Sequence, residues 1–125
     1  MSRVLDTTVL IDVLRGHEPA VMFVLSLEDV PVCSEVTRVE IIRGLRSEER
    51  RSAERLFRQL RWVPVDETIA RAAGELGRSL RRSHTGIGIA DLIISATVEE
   101  VGLPLATTNV RHFPMLEGLR APYRG

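Results

Sequence analysis

Apolar positions along the 125-residue chain fall into short blocks whose spacing switches between the strand and helix periods. Val4-Leu5 ahead of Asp6 reads as a short strand, and from Thr8 to Arg15 the residues Val9, Leu10, Val13 and Leu14 recur at helical spacing until Gly16 stops them. Pro19 suits the first turn of a second helix through Leu27, where its missing N–H has no partner to lose. Val30-Pro31-Val32-Cys33 is expected as an edge strand, since proline is tolerated there. Val36, Val39, Ile41, Ile42 and Leu45 make the apolar arc of a third helix, at roughly 100° of rotation per residue, with Glu40 on its margin. Ser47 is expected to cap a helix from Glu48 to Leu60 whose outer face carries Glu49 and many arginines. Trp62-Val63-Pro64-Val65 gives a further strand, and Asp66 is the N-cap of a helix from Glu67 to about Arg82. Ile89 to Val98 is apolar apart from Asp91, Ser95 and Thr97, the pattern of a buried helix with one acid in its first turn. Leu103 to Thr107 then forms a strand ending at Thr108-Asn109, and the C-terminal residues offer a last edge segment.

Strands alternating with helices predict an α/β fold with a largely parallel sheet. No repeat, low-complexity stretch or Gly/Ser/Pro linker interrupts the series, so residues 1–125 are expected to be a single domain. With 44% hydrophobic and 27% charged residues, the chain has the composition of a soluble domain that buries about two thirds of its unfolded surface.

Charge changes the picture more by its distribution than by its sum. The formal net charge is +0, which excludes a global basic field, and all 17 positive side chains are arginine. From Arg38 to Arg82, 12 arginines stand against 7 acids, a local charge of +5, so the remainder carries a matching negative excess. Arginine's planar fork suits phosphate, although an arginine-only composition equally reflects genome base composition. Cys33 is the only cysteine and needs no oxidising compartment. Asp6 interrupts the apolar stretch that a signal peptide would need, and no apolar run approaches the roughly 18 residues of a membrane span. A cytoplasmic protein without membrane attachment is the expectation.

In a parallel sheet with helical crossovers, ligands bind beyond the carboxyl ends of the strands. Asp6 and Asn109 both occupy strand ends, Asp91 begins a helix, and Glu40 lies on the helix after the second strand. Four segments can therefore deliver oxygen ligands to one edge. Carboxylates packed beside Leu5, Val9, Leu92 and Ile93 would carry a large desolvation cost unless protonated, hydrogen-bonded or bound to a cation. A hard divalent ion such as Mg²⁺ or Mn²⁺ prefers oxygen ligands, whereas zinc favours Cys and His, which show no suitable spacing here. Each acid also has a plainer reading: Asp6 and Asp91 as helix caps, and Glu40 as a solvated acid paired with Arg43.

Four stretches in order are Val4-Leu5-Asp6-Thr7-Thr8-Val9-Leu10-Ile11-Asp12, Val36-Thr37-Arg38-Val39-Glu40-Ile41, Ile89-Ala90-Asp91-Leu92-Ile93-Ile94-Ser95-Ala96-Thr97 and Thr107-Thr108-Asn109-Val110-Arg111-His112-Phe113. Together, nearly end to end, they resemble a PIN-domain ribonuclease, specifically the VapC-like toxins of bacterial toxin–antitoxin pairs. The resemblance implies a three-layer α/β/α sandwich with a central largely parallel β-sheet, and cleavage of RNA that inhibits translation and growth. It also implies neutralisation by a cognate VapB-like antitoxin whose C-terminal segment covers the acidic groove, and a homodimer. Carried over residue by residue, it makes Asp6, Glu40 and Asp91 ligands of Mg²⁺ or Mn²⁺ and gives Asn109 the fourth place. Many relatives have Asp at that place. Thr7 and Thr8 match a hydroxyl pair that supports the acidic site.

RNA approaching an acidic site needs positive residues on the rim, for which Arg43, Arg46, Arg81 and Arg82 are candidates. The Arg43 to Arg61 run is equally read as a solvated face paired with Glu48, Glu49 and Glu54. His84 and His112 read as surface or structural residues, and Trp62 as core packing. Other classes remain open at this level. His17, His84 and His112 make a metal-independent ribonuclease conceivable, and the acids could be caps of a non-catalytic binding scaffold. Gly86-Ile87-Gly88 hints at a nucleotide-binding turn, but position 91 is Asp where G-x-G-x-x-G needs its third glycine.

Overall fold

The computed structural model describes residues 1–84 and 86–125. Four short strands, β1 (Val4–Leu5), β2 (Val32–Ser34), β3 (Arg61–Val63) and β4 (Leu105–Ala106), form one sheet in the order β3-β2-β1-β4. Every pairing is parallel, with Val4 opposite both Val32 and Leu105, and Cys33 opposite Trp62. The crossovers contain α1 (Thr7–Leu14), α2 (Glu18–Leu25), α3 (Glu35–Gly44), α4 (Arg50–Phe57), α5 (Glu67–Leu80) and α6 (Ile89–Val101).

Alternation within the strands produces the layers. Leu5, Cys33 and Ala106 face one core with Val9 and Leu10 of α1, Ile41 of α3, and Ala53 and Phe57 of α4. Their neighbours Val4, Val32 and Leu105 face the opposite core with Ile94 of α6 and Phe113. Period-2 side-chain direction thus sends adjacent residues of each strand to opposite helical layers, giving the expected three-layer sandwich. Fully burying each such Leu, Val or Phe side chain contributes roughly 1.5–3 kcal/mol.

Local signals set the helix ends. Asp6 accepts from the Thr7 amide at 2.8 Å, Ser34 from the Val36 amide at 3.1 Å, and Asp66 from the Ile69 amide at 2.9 Å, each at a helix N-cap. Gly16 (φ 72°) and Gly102 (φ 69°) take the left-handed conformation just past α1 and α6, which glycine adopts without steric cost.

Several sequence expectations are corrected. β2 lies inside the sheet rather than at its edge: Pro31 falls just before the strand, so its missing N–H lies outside the ladder while its carbonyl accepts from Arg61 at 2.9 Å. Ser47 does not cap a long helix. Ser47–Glu49 is a 3-10 turn in which the Arg46 amide donates to the Glu49 carboxylate at 2.9 Å, and α4 follows it. On α3 only part of the apolar arc is covered: Ile41 is buried and Val36 and Leu45 pack against the two cores, but Val39 is 63% and Ile42 40% exposed while the polar Thr37 is buried. Residues after β4 form no strand; Val110–His112 is a 3-10 turn, held down by the buried ring of Phe113.

The strand order places the site. From β1 the chain moves outward to β2 and β3, then crosses back through α5 and α6 to β4 on the other side of β1. The order reverses between β1 and β4, so a crevice opens beyond their carboxyl ends.

Candidate active site

Asp6 follows β1 immediately and is only 3% exposed, and both of its carboxylate oxygens accept hydrogen bonds. Oδ1 accepts from the Thr7 amide, while Oδ2 accepts from Thr8 Oγ1 at 3.1 Å and Thr107 Oγ1 at 2.6 Å. The cap and site readings of Asp6 therefore coincide in one side chain. Thr107 in turn accepts from the Asn109 amide at 2.9 Å, which orients the turn after β4.

Glu40 reaches in from α3. Its Oε1 accepts from Thr7 Oγ1 at 2.6 Å, and Thr7 Oγ1 also lies 3.0 Å from the hydroxyl of the fully buried Thr37. Because a carboxylate only accepts, the Thr7 proton goes to Glu40 and the Thr37 hydroxyl donates to Thr7. Asp91 enters from the first turn of α6. Burial first, then the negative charges of Asp6 and Glu40, push its carboxyl above the usual carboxylate range, while His112 pulls it back. The His112 ring Nδ1 stands 3.3 Å from Asp91 Oδ2.

A cleft of about 360 Å³ is lined by Asp6, Thr7, Thr8, Glu40, Asp91 and Asn109, with Arg43 and His112 also on its wall. The structure thus brings together the three acids, the asparagine and both threonines named from the sequence. Among the described residues no arginine pairs with any of these acids, so the Glu40–Arg43 pair offered by the plainer reading of Glu40 does not form. Among the described residues the Arg43 to Arg61 run also makes no ion pair with Glu48, Glu49 or Glu54, the alternative to RNA contact; the arginine pairs among them are Arg38 with Glu35, Arg71 with Glu67 and Arg78 with Glu75.

The other candidates lie further out. Arg81 lines a separate cleft with Leu80, His84 and Leu92, and Arg46 and Arg82 are exposed. Trp62 packs as expected, edge-on to Phe57 at 5.3 Å with its indole N–H donating to the Phe57 carbonyl, and Arg38 lies 4.0 Å over its ring. His17 meets the Arg124 carbonyl and the Tyr123 ring, away from the acids. His112, expected as a surface or structural residue, has a side chain 56% exposed and also stands on the wall of the acidic cleft. Its only signal was its position three residues after Asn109 and directly before the apolar Phe113.

The donor set fits a hard divalent cation. It is made of carboxylate and amide oxygens, and the thiol of Cys33 lies outside it, in the core, with its pKa pushed up to about 12 by burial. Among the described residues no group of three His, Cys, Asp or Glu side chains is arranged to hold an ion as it stands. The carboxylates face one space without converging on one point.

A fold of this topology with this cleft defines a class, and the PIN domain family model matches residues 3–117. The chain belongs to the PIN domain family. It is 41% identical over 125 residues to Ribonuclease VapC19 of Mycobacterium tuberculosis, covering 97% of this chain and 99% of that protein. With Ribonuclease VapC10 of the same organism the identity is 45% over 120 residues, covering 94% and 90%. A solved structure of DNA-bound VapBC from Salmonella typhimurium superposes with a TM-score of 0.82 at 23% identity over 97% of both chains, a likeness of fold. PIN-domain ribonucleases are generally dependent on a divalent metal. No helix among the described residues is long and apolar enough to cross a membrane.

Proposed function

We propose that this chain is a metal-dependent endoribonuclease, the toxin of a toxin–antitoxin pair, that hydrolyses RNA phosphodiester bonds in the cleft between β1, α3, α6 and the turn after β4. The observation that carries the reading is the gathering of Asp6, Glu40 and Asp91 from three separate elements into one cleft, with no arginine among the described residues paired to any of them. Like charges brought together at a partly buried site favour a bound cation. The names of its relatives, Ribonuclease VapC19 and Ribonuclease VapC10, agree with that chemistry.

Asp6, Glu40 and Asp91 would hold Mg²⁺ or Mn²⁺, with the neutral amide of Asn109 as a weaker fourth donor. Such an ion, when bound, lowers the pKa of a water and stabilises charge on the phosphate. The chain's own contribution is orientation: Thr107 and Thr8 fix Asp6, Thr7 fixes Glu40, and Thr37 fixes Thr7. Arg43, on the wall of the cleft, meets the RNA backbone as it arrives. Arg46, Arg81 and Arg82 extend that contact outward.

The partner is a VapB-like antitoxin covering the acidic cleft, in keeping with solved complexes such as VapBC-1 from Haemophilus influenzae. The toxin itself is a cytoplasmic homodimer. Controlled expression in a bacterial host tests the whole reading. Growth arrest accompanied by new RNA 5′ ends, both abolished by Asp91→Asn and by co-expressed antitoxin, is the expected result. Arrest without RNA cleavage, or cleavage surviving Asp91→Asn, would overturn it.

A further inference from the structure

Each acid of the cleft has a polar neighbour from another element, and Asp91 differs from the others in the kind of neighbour. Asp6 and Glu40 accept from threonine hydroxyls. Asp91 has no hydroxyl partner among the described residues; its neighbour is the His112 imidazole, 3.3 Å from Oδ2. We propose that His112 is a positioning residue for Asp91, fixing one carboxylate oxygen so that the other is presented to the space shared with Asp6 and Glu40. This inference rests on the metal-site reading above.

The backbone on both sides of His112 is tied down. Upstream, the Asn109 amide donates to Thr107 Oγ1 at 2.9 Å, and the His112 amide donates to the Asn109 carbonyl at 3.0 Å. Downstream, Phe113 is 1% exposed and packs in the core that contains Val4, Val32, Ile94 and Leu105. The turn that carries the imidazole is thus anchored to the core on one side and, through Thr107, to Asp6 on the other. Asp91 Oδ2 also lies close to Gly88, the residue that precedes α6, so this oxygen is flanked by His112 and the helix start.

The residue type matches the task. A carboxylate only accepts, so an imidazole that orients Asp91 would do so through a protonated Nδ1. A histidine can hold the carboxylate in place through a ring N–H without carrying a permanent positive charge. An arginine or lysine at the same place would neutralise Asp91 and compete with a cation for it. In a chain whose Lys+Arg count is 17, the donor beside this acid is a histidine.

Calorimetric titration of Mn²⁺ into the full chain without RNA tests the proposal, beside RNA cleavage kinetics at saturating Mn²⁺. His112→Ala is expected to weaken Mn²⁺ binding about tenfold, the loss typical when a group that orients a metal ligand is removed, with KM for RNA unchanged. His112→Asn, whose amide nitrogen can stand where Nδ1 stands, should recover affinity to within about threefold of wild type. Wild-type Mn²⁺ affinity in His112→Ala overturns the proposal. A raised KM for RNA at unchanged Mn²⁺ affinity also overturns it, because His112 would then be an RNA contact. Equal loss of Mn²⁺ affinity in both variants, with matching loss of thermal stability, assigns His112 to folding and overturns it as well. A wild-type chain that neither binds Mn²⁺ nor cuts RNA defeats the function proposed above together with this inference. One that does both while His112→Ala titrates like wild type defeats this inference alone.

Discussion

Thr107 Oγ1 donates to Asp6 Oδ2 at 2.6 Å, joining the ends of β4 and β1 across 101 positions of sequence. Thr107 is fully buried and also accepts the Asn109 amide, so one hydroxyl orients an acid of the cleft and the turn beside it. Thr107→Val keeps the volume but removes both functions. Leaving a buried acceptor short of a donor costs about 1–3 kcal/mol. Denaturant unfolding should show a loss of that size, and RNA cleavage should fall with it. A Val variant of wild-type stability and activity would mean that the hydroxyl orients nothing.

Asp91→Asn should lower RNA cleavage more than about 100-fold, or roughly 2.7 kcal/mol of transition-state stabilisation. The same substitution should raise the Tm of the metal-free protein. Burial and the charges of Asp6 and Glu40 hold the Asp91 pKa above its unfolded value, so the folded state binds the extra proton and stability falls as pH rises through that interval. The neutral amide avoids this penalty. Scanning calorimetry in chelator at neutral pH reads the difference; a lower Tm for the variant would contradict the electrostatic argument.

At Asn109 the side chain lines the cleft but is neutral. Asn109→Ala should therefore reduce cleavage less than Asp91→Ala does, and Asn109→Asp should tighten Mn²⁺ binding by adding a fourth negative ligand. Equal or weaker Mn²⁺ affinity in a folded Asp variant would place Asn109 outside the metal shell, as a turn residue.

Tyr123 Oη donates to Asp12 Oδ2 at 2.7 Å, and its ring lies against His17 and Phe23, fastening the C-terminal segment over α1 and α2. Burial, then Asp12, push the phenol well above its usual pKa. Tyr123→Phe removes a charge-assisted bond and should cost about 1.5–3 kcal/mol in urea unfolding while leaving the acidic cleft in place. No loss would show that packing of the ring alone holds the segment.

Sequence legibility followed the range of the interactions. Asp6 after Val4-Leu5 and Asp66 before its helix were readable because a cap is a local event, set within three residues. The acids of the cleft were readable as an ordered set, and strand-end placement brought Asp6 and Asn109 to one edge. Periodicity showed that Val39 and Ile42 lie on one apolar arc of α3, but it carries no information on whether another layer covers that arc. The interior place of β2 depends on β3 pairing outside it, a contact between distant segments that Pro31 alone could not disclose. The His112–Asp91 contact was invisible for the same reason, since it is created by the turn after β4 meeting the start of α6.

The central claim is that RNA is cut by metal bound at these carboxylates. Its most direct test is cleavage of a defined RNA by the purified chain, with Mg²⁺ or Mn²⁺ present, removed by EDTA and then restored, alongside Asp91→Asn. The account predicts cleavage that stops on chelation, returns with the metal and is lost in the folded variant. Undiminished cleavage in EDTA, with metal removal verified on the same sample, would contradict it and turn attention to His112 as an acid–base group.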